Sequence, residues 1–446
     1  MKVIEEFLSK HKIEEVECLV PDMAGIARGK ILPAEKFLKG MRSNGLRIPD
    51  SVFVQTVTGG YPEEDVTPVE AGDCYMAPDP ETIRLVPWYS EPTAQVICDA
   101  YDFNGQPVAI SSRAVLRRVI ELYEGEGWTP VVAPELEFFL VDVNTDPDYP
   151  LIPPIGRSGR RETSRQAYGL DAVNEFDPLF EDVYDFCEAQ DIDVDTLTHE
   201  AGAAQMEMNF NHGNALQLAD QAFLFKRTVR EAALRHKVYA TFMAKPMQGE
   251  PGSSMHIHQS VLDGDGANIF ANAQNGRNTK IFLSHIAGLQ KFLPAMMPLL
   301  GPNVNSYRRF QRDSDAPINT HWAVENRTVG LRVPQSNAQN RRIENRLAGA
   351  DCNPYLAIAA SLACGYLGMK QKLKPRAAIE GSAYRLAHTL PRTLQDALHR
   401  FQGNRQIKDI LGENFVDAMV AVKEAELSTY QQVISSWERE HLLLNV

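Results

Sequence analysis

Four short runs carry acids, imidazoles and guanidiniums at every second position. In residues 131–141, VVAPELEFFLV, strand alternation sets Glu135 and Glu137 on one face and Leu136 and Phe138 on the other. Residues 205–210 place Glu207 and Asn209 opposite Met206, Met208 and Phe210. Residues 254–260, SMHIHQS, align His256, His258 and Ser260, and residues 342–347, RIENRL, align Arg342, Glu344 and Arg346. Taken singly, each run reads as a half-exposed antiparallel strand with a solvated face. Taken together they differ from such faces, which favour Lys, Thr, Ser and Gln over groups that bind hard divalent cations and phosphates. Glu200, in the turn-like THEAGAAQ upstream of Glu207, adds a fifth carboxylate to the set. Carboxylates on adjoining strands repel unless cations lie between them, and Mg²⁺ or Mn²⁺ accepts oxygen ligands with an occasional imidazole. Zinc would require more His and Cys, and neither HExxH nor a CxxC pair occurs. Interleaved arginines neutralise charge on a transferring phosphoryl group. With no Walker A motif and no kinase-type glycine loop, such a transfer would rely on metals and arginines displayed on a sheet. Residue types and spacing therefore predict an ATP-and-metal site in an antiparallel funnel.

The rest of the chain must position these runs. Its 446 residues suit one large and one small domain, or three modest ones. A composition 44% hydrophobic and 23% charged fits a chain folded around a core. Lys and Arg total 45 against 58 Asp and Glu, and the net charge of −13 excludes general binding to a nucleic-acid backbone. Six scattered cysteines without a CxxC pair read as reduced thiols of a cytoplasmic protein. The opening MKVIEEFLSKHKIEEVE is too charged for a signal peptide, and the most apolar stretch, residues 355–369, is too short to span a bilayer. Up to residue 105 the pattern reads as short strands, VECLVPDMAG, SVFVQTVTGG and TAQVICDAYDFNGQPV, with Asn104-Gly105 as a hairpin signal. Ser111-Ser112 offer an N-cap to a helix whose apolar stripe is Val115, Leu116, Val119, Ile120 and Tyr123. A domain boundary is thus expected near residues 106–112, dividing the chain into 1–110 and 111–446. Further helices are expected over 214–237, over 282–299 and from Asn353-Pro354 onward. Residues 142–166 and 301–321 receive no regular element, and the arginines and aspartates of the second favour a functional loop.

The segment KPMQGEPGSSMHIHQS (245–260) resembles the ATP-binding signature of the glutamine synthetase family. NSYRRF (305–310), RRIENR (341–346), PELEFF (134–139) and HEAGAAQMEMNF (199–210) match further family motifs in the family's order. The resemblance covers most of the chain. It implies an α+β fold, with a small N-terminal β-grasp-like domain on a large C-terminal catalytic domain built on a curved antiparallel sheet. It implies that Glu137, Glu200 and Glu207 hold one cation and that Glu135, His256 and Glu344 hold another, with two or three Mg²⁺ or Mn²⁺ ions per site. His258, Ser260, Arg332 and Arg342 fall at nucleotide positions, as do Asp195 and Phe210. Gly252, Arg309 and Arg346 fall where the family grips L-glutamate, Arg327 where it stabilises the phosphoryl group, and Asp315 at the flap position. The family assembles as stacked rings, here expected to be a homododecamer, in which a neighbour's N-terminal domain completes each site.

The departures from the family pattern gather on one half of the reaction. Counting back from Gly59-Gly60, the aspartate that binds ammonium in true glutamine synthetases is matched by Val54, which has no acceptor atom. Asp315 stands where the family's flap carries glutamate, Pro251 where its glutamate loop carries asparagine, and Gln339 and Asn340 where it carries a phosphate-binding lysine. VPDMAGIARGKILP (20–33) is similar to the γ-glutamylpolyamine or γ-glutamylputrescine synthetase branch. The expected activity is therefore ATP-dependent ligation of the glutamate γ-carboxylate to an amine through a γ-glutamyl phosphate. The amine is expected to be a polyamine such as putrescine or spermidine, entering a pocket that includes Val54. The alternatives are a true glutamine synthetase using ammonium, a non-catalytic relative serving as an assembly or regulatory module, and a metal-dependent hydrolase. Glu63, Glu64 and Asp65 read as an exposed turn that would also attract a polyamine's far ammonium, Tyr384 as a packed tyrosine, and His199 either as a ligand or as a support for Glu200.

Overall fold

The computed structural model describes residues 1–62, 72–163, 165–312 and 314–446. Glu63, Glu64 and Asp65 lie outside the described residues. In the N-terminal part, strands β1 (Glu15–Pro21), β2 (Ala27–Pro33), β3 (Arg47–Pro49), β4 (Asp73–Pro78), β5 (Arg84–Leu85) and β6 (Thr93–Tyr101) form one sheet. Its order is β2-β1-β6-β4-β3 with β5 on β6, and β1 runs parallel to β6. The turn after β6 passes through Gly105 at φ +76°, as the Asn-Gly signal required. Two helices were not anticipated, Lys2–Lys10, which buries Ile4 and Leu8, and Ala34–Arg42, which buries Phe37. Both have only a short apolar stripe, so periodicity over a long window does not reveal them.

The run SVFVQTVTGG is not a strand. Residues Asp50–Val54 form a single 3₁₀ turn instead. Pro49 removes a ladder donor, and Asp50 and Ser51 compete for local backbone groups, so turn chemistry overrides the β-branched content of the segment. Phe53 packs into the N-terminal core beside Val16 and Val96, whereas Val54 joins the larger core of the rest of the chain.

Strands β7 (Thr129–Asp142), β8 (Val194–His199), β9 (Gln205–Phe210), β10 (Gly213–Asn214), β11 (Val238–Thr241), β12 (Met255–Leu262), β13 (Trp322–Val324), β14 (Leu331–Val333) and β15 (Ile343–Asn345) make a second sheet. Its order is β13-β14-β15-β12-β7-β9-β8, with β10 and β11 also on β7. Among the described residues its pairings are antiparallel except for β13 with β14. The register sets Glu135 opposite both His256 and Asn209, Glu137 opposite Glu207, and Glu344 opposite both His258 and Arg332. Leu136, Phe138, Met206, Met208, Ile257 and Ile343 point the other way into the main core. Because side chains alternate strictly, burying that apolar set commits every charged partner to the opposite face.

The core-side layer is made of the expected helices together with Asp177–Ala189, Leu394–Gln402, Arg405–Leu411 and Glu413–Gln431, which were not anticipated. The stripe of Ser112–Glu124 is buried as its spacing required. Asn214 caps Ala215–Arg235 by accepting from the backbone of Leu216 and Gln217, and Asn353 caps Pro354–Lys370 in the same way. Helices Lys280–Leu300 and Pro354–Lys370 touch backbone to backbone: a Cβ on Gly288 would lie 2.1 Å from the Cys364 carbonyl oxygen. Arg113, in the helix Ser112–Glu124, donates to Asp220 at 2.9 Å, to Asp99 at 2.6 Å and to Asp79 at 2.7 Å, tying the N-terminal sheet to the helices. All six cysteines are buried free thiols. Among the described residues no helix is long and apolar enough to cross a membrane. The fold is α+β, a small N-terminal sheet on a large mixed layer structure.

Candidate active site

The charged faces of β7, β9, β12 and β15 converge on one wall. Glu135 accepts from His258 Nε2 at 2.8 Å and lies 3.3 Å from His256 Nδ1. His256 is also 3.9 Å from Glu137 and 3.7 Å from Glu344. Glu344, only 1% exposed, meets Arg346 Nη1 with one oxygen at 2.5 Å and Arg332 Nη1 with the other at 2.7 Å. Glu135, Glu137, Glu200, Glu207, His256 and Glu344 all line a single cavity of about 460 Å³. Within it, Glu135, Glu207 and His256 bring ligand atoms within 4.8 Å of one another, as do Glu135, His258 and Glu344. These trios share members differently from the two sets implied by the resemblance, because Glu135 lies between the two histidines of β12.

The electrostatics of this wall suit a cation. Burial, then neighbouring carboxylates, pushes Glu137 and Glu207 well above the usual carboxylate range, and burial likewise raises Glu200. Burial also works against ionisation of Glu344, yet Arg346 and the two histidines hold it down at about 2. The chain's own cations thus satisfy Glu344 but leave three carboxylates short of positive charge. Oxygen donors with an imidazole among them match the preferences of Mg²⁺ and Mn²⁺, and the residues present fit such an ion.

At the inner end of the cavity, Arg309 is 1% exposed and donates to the carbonyl oxygens of Leu347 and Arg346, both at 2.9 Å, and to Ser254 Oγ at 2.8 Å. Gly252 lies against it, where a Cβ would stand 2.7 Å from Arg309 Cγ and 2.5 Å from the Ala244 carbonyl oxygen. Arg346 lines the same space. At the mouth are Asp315, with φ +60°, and Arg327. Two further residues at the mouth were not anticipated there, Tyr168, with φ +61°, and Tyr384. Tyr168 lies just beyond the segment left unassigned and had no periodic signal. Tyr384 is placed at the cavity rather than simply packed, because Ala383 N donates to Thr328 Oγ1 at 2.9 Å and fastens its turn to the rim. His199 supports Glu200 as expected, with Nδ1 2.7 Å from the Glu200 carbonyl oxygen and Nε2 3.0 Å from Glu162.

A second cavity of about 450 Å³ adjoins the first across Glu135 and Asn209, which line both. Asp195, Phe210, His258, Ser260 and Arg342 line it together. Arg342 Nε donates to His258 Nδ1 at 3.1 Å, so the ring proton lies on Nε2 and points at Glu135. Gln339 and Asn340 face this space, as do Asn211, His212 and Asn268 from loops with no pattern to betray them. Arg332, expected with the nucleotide residues, instead lines the first cavity, pinned to Glu344.

Val54 lines neither cavity. It is 0% exposed, in the core of its own chain. The expectation of an amine pocket built on Val54 is corrected accordingly. A side chain wholly enclosed by its own fold presents no atom to a ligand, and in this segment the exposed positions run from Val57 to Tyr61.

A family model described as the glutamine synthetase catalytic domain matches residues 109–442. The γ-glutamylputrescine synthetase PuuA of Escherichia coli (strain K12) is 35% identical over 448 residues, covering 99% of this chain and 94% of that protein. A glutamate–isopropylamine ligase of Pseudomonas sp is 33% identical, covering 98% and 96%. A glutamine synthetase of Thermotoga maritima is 29% identical over 89% of this chain and 92% of its own length. A solved structure of apo GmaS without ligand superposes with a TM-score of 0.86 at 25% identity, covering 100% of both chains. A GmaS/ADP complex gives 0.86 at 26% identity, covering 99% of this chain and 100% of that one. With the catalytic-domain match spanning most of the sequence and relatives of this identity covering it nearly end to end, the protein belongs to the glutamine synthetase family.

Proposed function

We propose that this ATP-dependent ligase joins the γ-carboxylate of L-glutamate to an organic amine, and that the amine is a polyamine such as putrescine or spermidine. The observation that carries the ligase reading is the complete carboxylate, imidazole and guanidinium wall of the first cavity. The exposed residues 57–61 carry no acid that could hold ammonium. The two amine ligases, at 35% and 33% identity, support the same reading.

In this reading Arg309, Arg346 and Gly252 hold glutamate, while His258, Ser260, Arg342, Asp195 and Phe210 hold ATP. Glu135, Glu137, Glu200, Glu207, His256 and Glu344 hold two or three Mg²⁺ or Mn²⁺ ions, which supply charge neutralisation for the phosphates. A γ-carboxylate oxygen displaces ADP from the γ-phosphorus, with Arg327 and Arg332 offsetting the charge of the phosphoryl group. The amine nitrogen then attacks the acyl carbon, phosphate leaves, and Asp315 at the mouth accepts the proton lost by nitrogen. The split into 1–110 and 111–446, ring assembly as a homododecamer and a cytoplasmic location belong to the same proposal.

The test is phosphate release from ATP with glutamate and Mg²⁺, comparing ammonium with putrescine, spermidine and simple monoamines. An organic amine is expected to give kcat/KM at least about tenfold above ammonium, equivalent to about 1.4 kcal/mol. Equal or better turnover with ammonium would make the chain a glutamine synthetase; silence with every amine while ATP still binds would favour a non-catalytic role. In the same assay Gly252→Ala is expected to raise the glutamate KM by about tenfold or more, about 1.4 kcal/mol of lost binding, because the added methyl displaces Arg309. The KM for ATP should move less than twofold, and an unchanged glutamate KM would remove Gly252 from the acid site.

A further inference from the structure

Arg332 faces a competition inside the first cavity. Its Nη1 donates to Glu344 at 2.7 Å, and Glu344 is at the same time one of the carboxylates whose ligand atoms converge with Glu135 and His258. Whatever draws on Glu344 loosens its hold on Arg332. The other guanidinium nitrogen has a separate partner: Nη2 donates to Glu325 Oε2 at 3.1 Å, while Nε is buried without a partner. Glu325 is itself held from three sides. Its Oε1 accepts from the backbone of Gln335, its own N–H donates to the Val333 carbonyl oxygen at 3.2 Å, and its φ is +53°. A non-glycine residue in the left-handed region is kept there only where the surroundings demand it. The Glu325 side chain is 45% exposed, whereas the Arg332 side chain is 16% exposed. Glu325 thus stands directly after β13 and grips the strand β14 that carries Arg332.

We propose that Glu325 is a positioning residue that keeps the Arg332 guanidinium aimed into the cavity when Glu344 is engaged by a cation. The assignment rests on the reading above in which Arg332 meets the phosphates of the nucleotide. Glu325 touches neither substrate nor the reacting atoms. It supplies the second anchor that a planar, five-donor guanidinium needs to hold one orientation. Its fixed tether to Gln335 and Val333 makes that anchor part of the sheet rather than a mobile surface charge.

The test compares Glu325→Ala, Glu325→Gln and Arg332→Ala in the full chain. Its readouts are affinity for a non-hydrolysable ATP analogue by titration calorimetry, thermal midpoint, and the KM values for ATP and glutamate. Glu325→Ala is expected to weaken the analogue and raise the ATP KM by at least fivefold, with the glutamate KM changed less than twofold. Glu325→Gln, which keeps one acceptor oxygen where the carboxylate has two, should restore part of the loss. Tighter analogue binding in Glu325→Ala would mean that the carboxylate only repels phosphate, and a lowered thermal midpoint with unchanged nucleotide affinity would mean that it only braces the fold. Either overturns the proposal. If Arg332→Ala leaves analogue affinity unchanged, the nucleotide role of Arg332 fails first. If Arg332→Ala weakens the analogue and Glu325→Ala does not, the positioning role alone is wrong.

Discussion

Glu344→Ala is expected to abolish phosphate release with every amine and with ammonium. Glu344 is the meeting point of the wall: β15 carries it opposite His258 on β12 and Arg332 on β14, and both its oxygens bind guanidiniums. Removing it leaves Arg346, 7% exposed, without its carboxylate partner, and breaking a buried pair on one side costs about 3–5 kcal/mol. The same change withdraws the carboxylate that completes a trio with Glu135 and His258. Activity and stability should therefore fall together. Glu344→Gln separates the two effects, because the amide fills the same space and keeps one acceptor oxygen for a guanidinium but offers no negative charge. Phosphate release should remain absent in Glu344→Gln while the thermal midpoint recovers part of the loss. Turnover in either variant above about one hundredth of the wild type, about 2.7 kcal/mol of barrier, would remove Glu344 from the reaction.

Val54→Asp is expected to destabilise the fold and to confer no use of ammonium. A sequence comparison suggests the opposite, since aspartate stands at the matched position in true glutamine synthetases. Here, however, Val54 is 0% exposed inside an apolar cluster. Burial raises a carboxyl pKa by roughly three units or more, at about 1.4 kcal/mol per unit, and so costs about 4 kcal/mol before any loss of packing. The measurement is the denaturant midpoint together with the ratio of ammonium to amine turnover. A variant as stable as the parent with raised ammonium turnover would place the side chain in the amine pocket and refute the burial account.

Much of this site is legible in the sequence because β-strand geometry is short-ranged. The strict alternation of side chains is enough to set Glu135 with Glu137, His256 with His258, and Arg342 with Glu344 and Arg346, before any strand finds its partner. The residue types then narrow the chemistry, since few purposes other than metal and phosphate binding gather carboxylates, imidazoles and arginines on one face. Helix signals are equally local. Asn353-Pro354 and the stripe from Val115 to Tyr123 announce a cap and a buried face on their own. The family motifs, five in the expected order, added the assignment of individual residues.

Other features depend on what lies across from a residue, and no local pattern carries that. The sharing of Glu135 between two histidines follows from the register of β7 with β12, and the placement of Arg332 in the first cavity follows from that of β14 with β15. Tyr168 and Tyr384 reach the mouth from loops, whose course is set by hydrogen bonds to distant backbone such as Ala383 N to Thr328 Oγ1. Glu325 acquires its hold on Arg332 in the same way, through a left-handed backbone that only its tertiary partners maintain. Val54 shows the limit most clearly. Counting along the chain matches it to a ligand position, but a 3₁₀ turn in place of a strand rotates it into the main core. The sequence by itself thus determined the chemistry of the site and the face on which each strand displays it, because alternation and capping are local. Which ligands pair, which cavity each arginine enters and whether Val54 meets solvent were decided by tertiary structure alone, because register, turn geometry and burial arise only when distant segments pack.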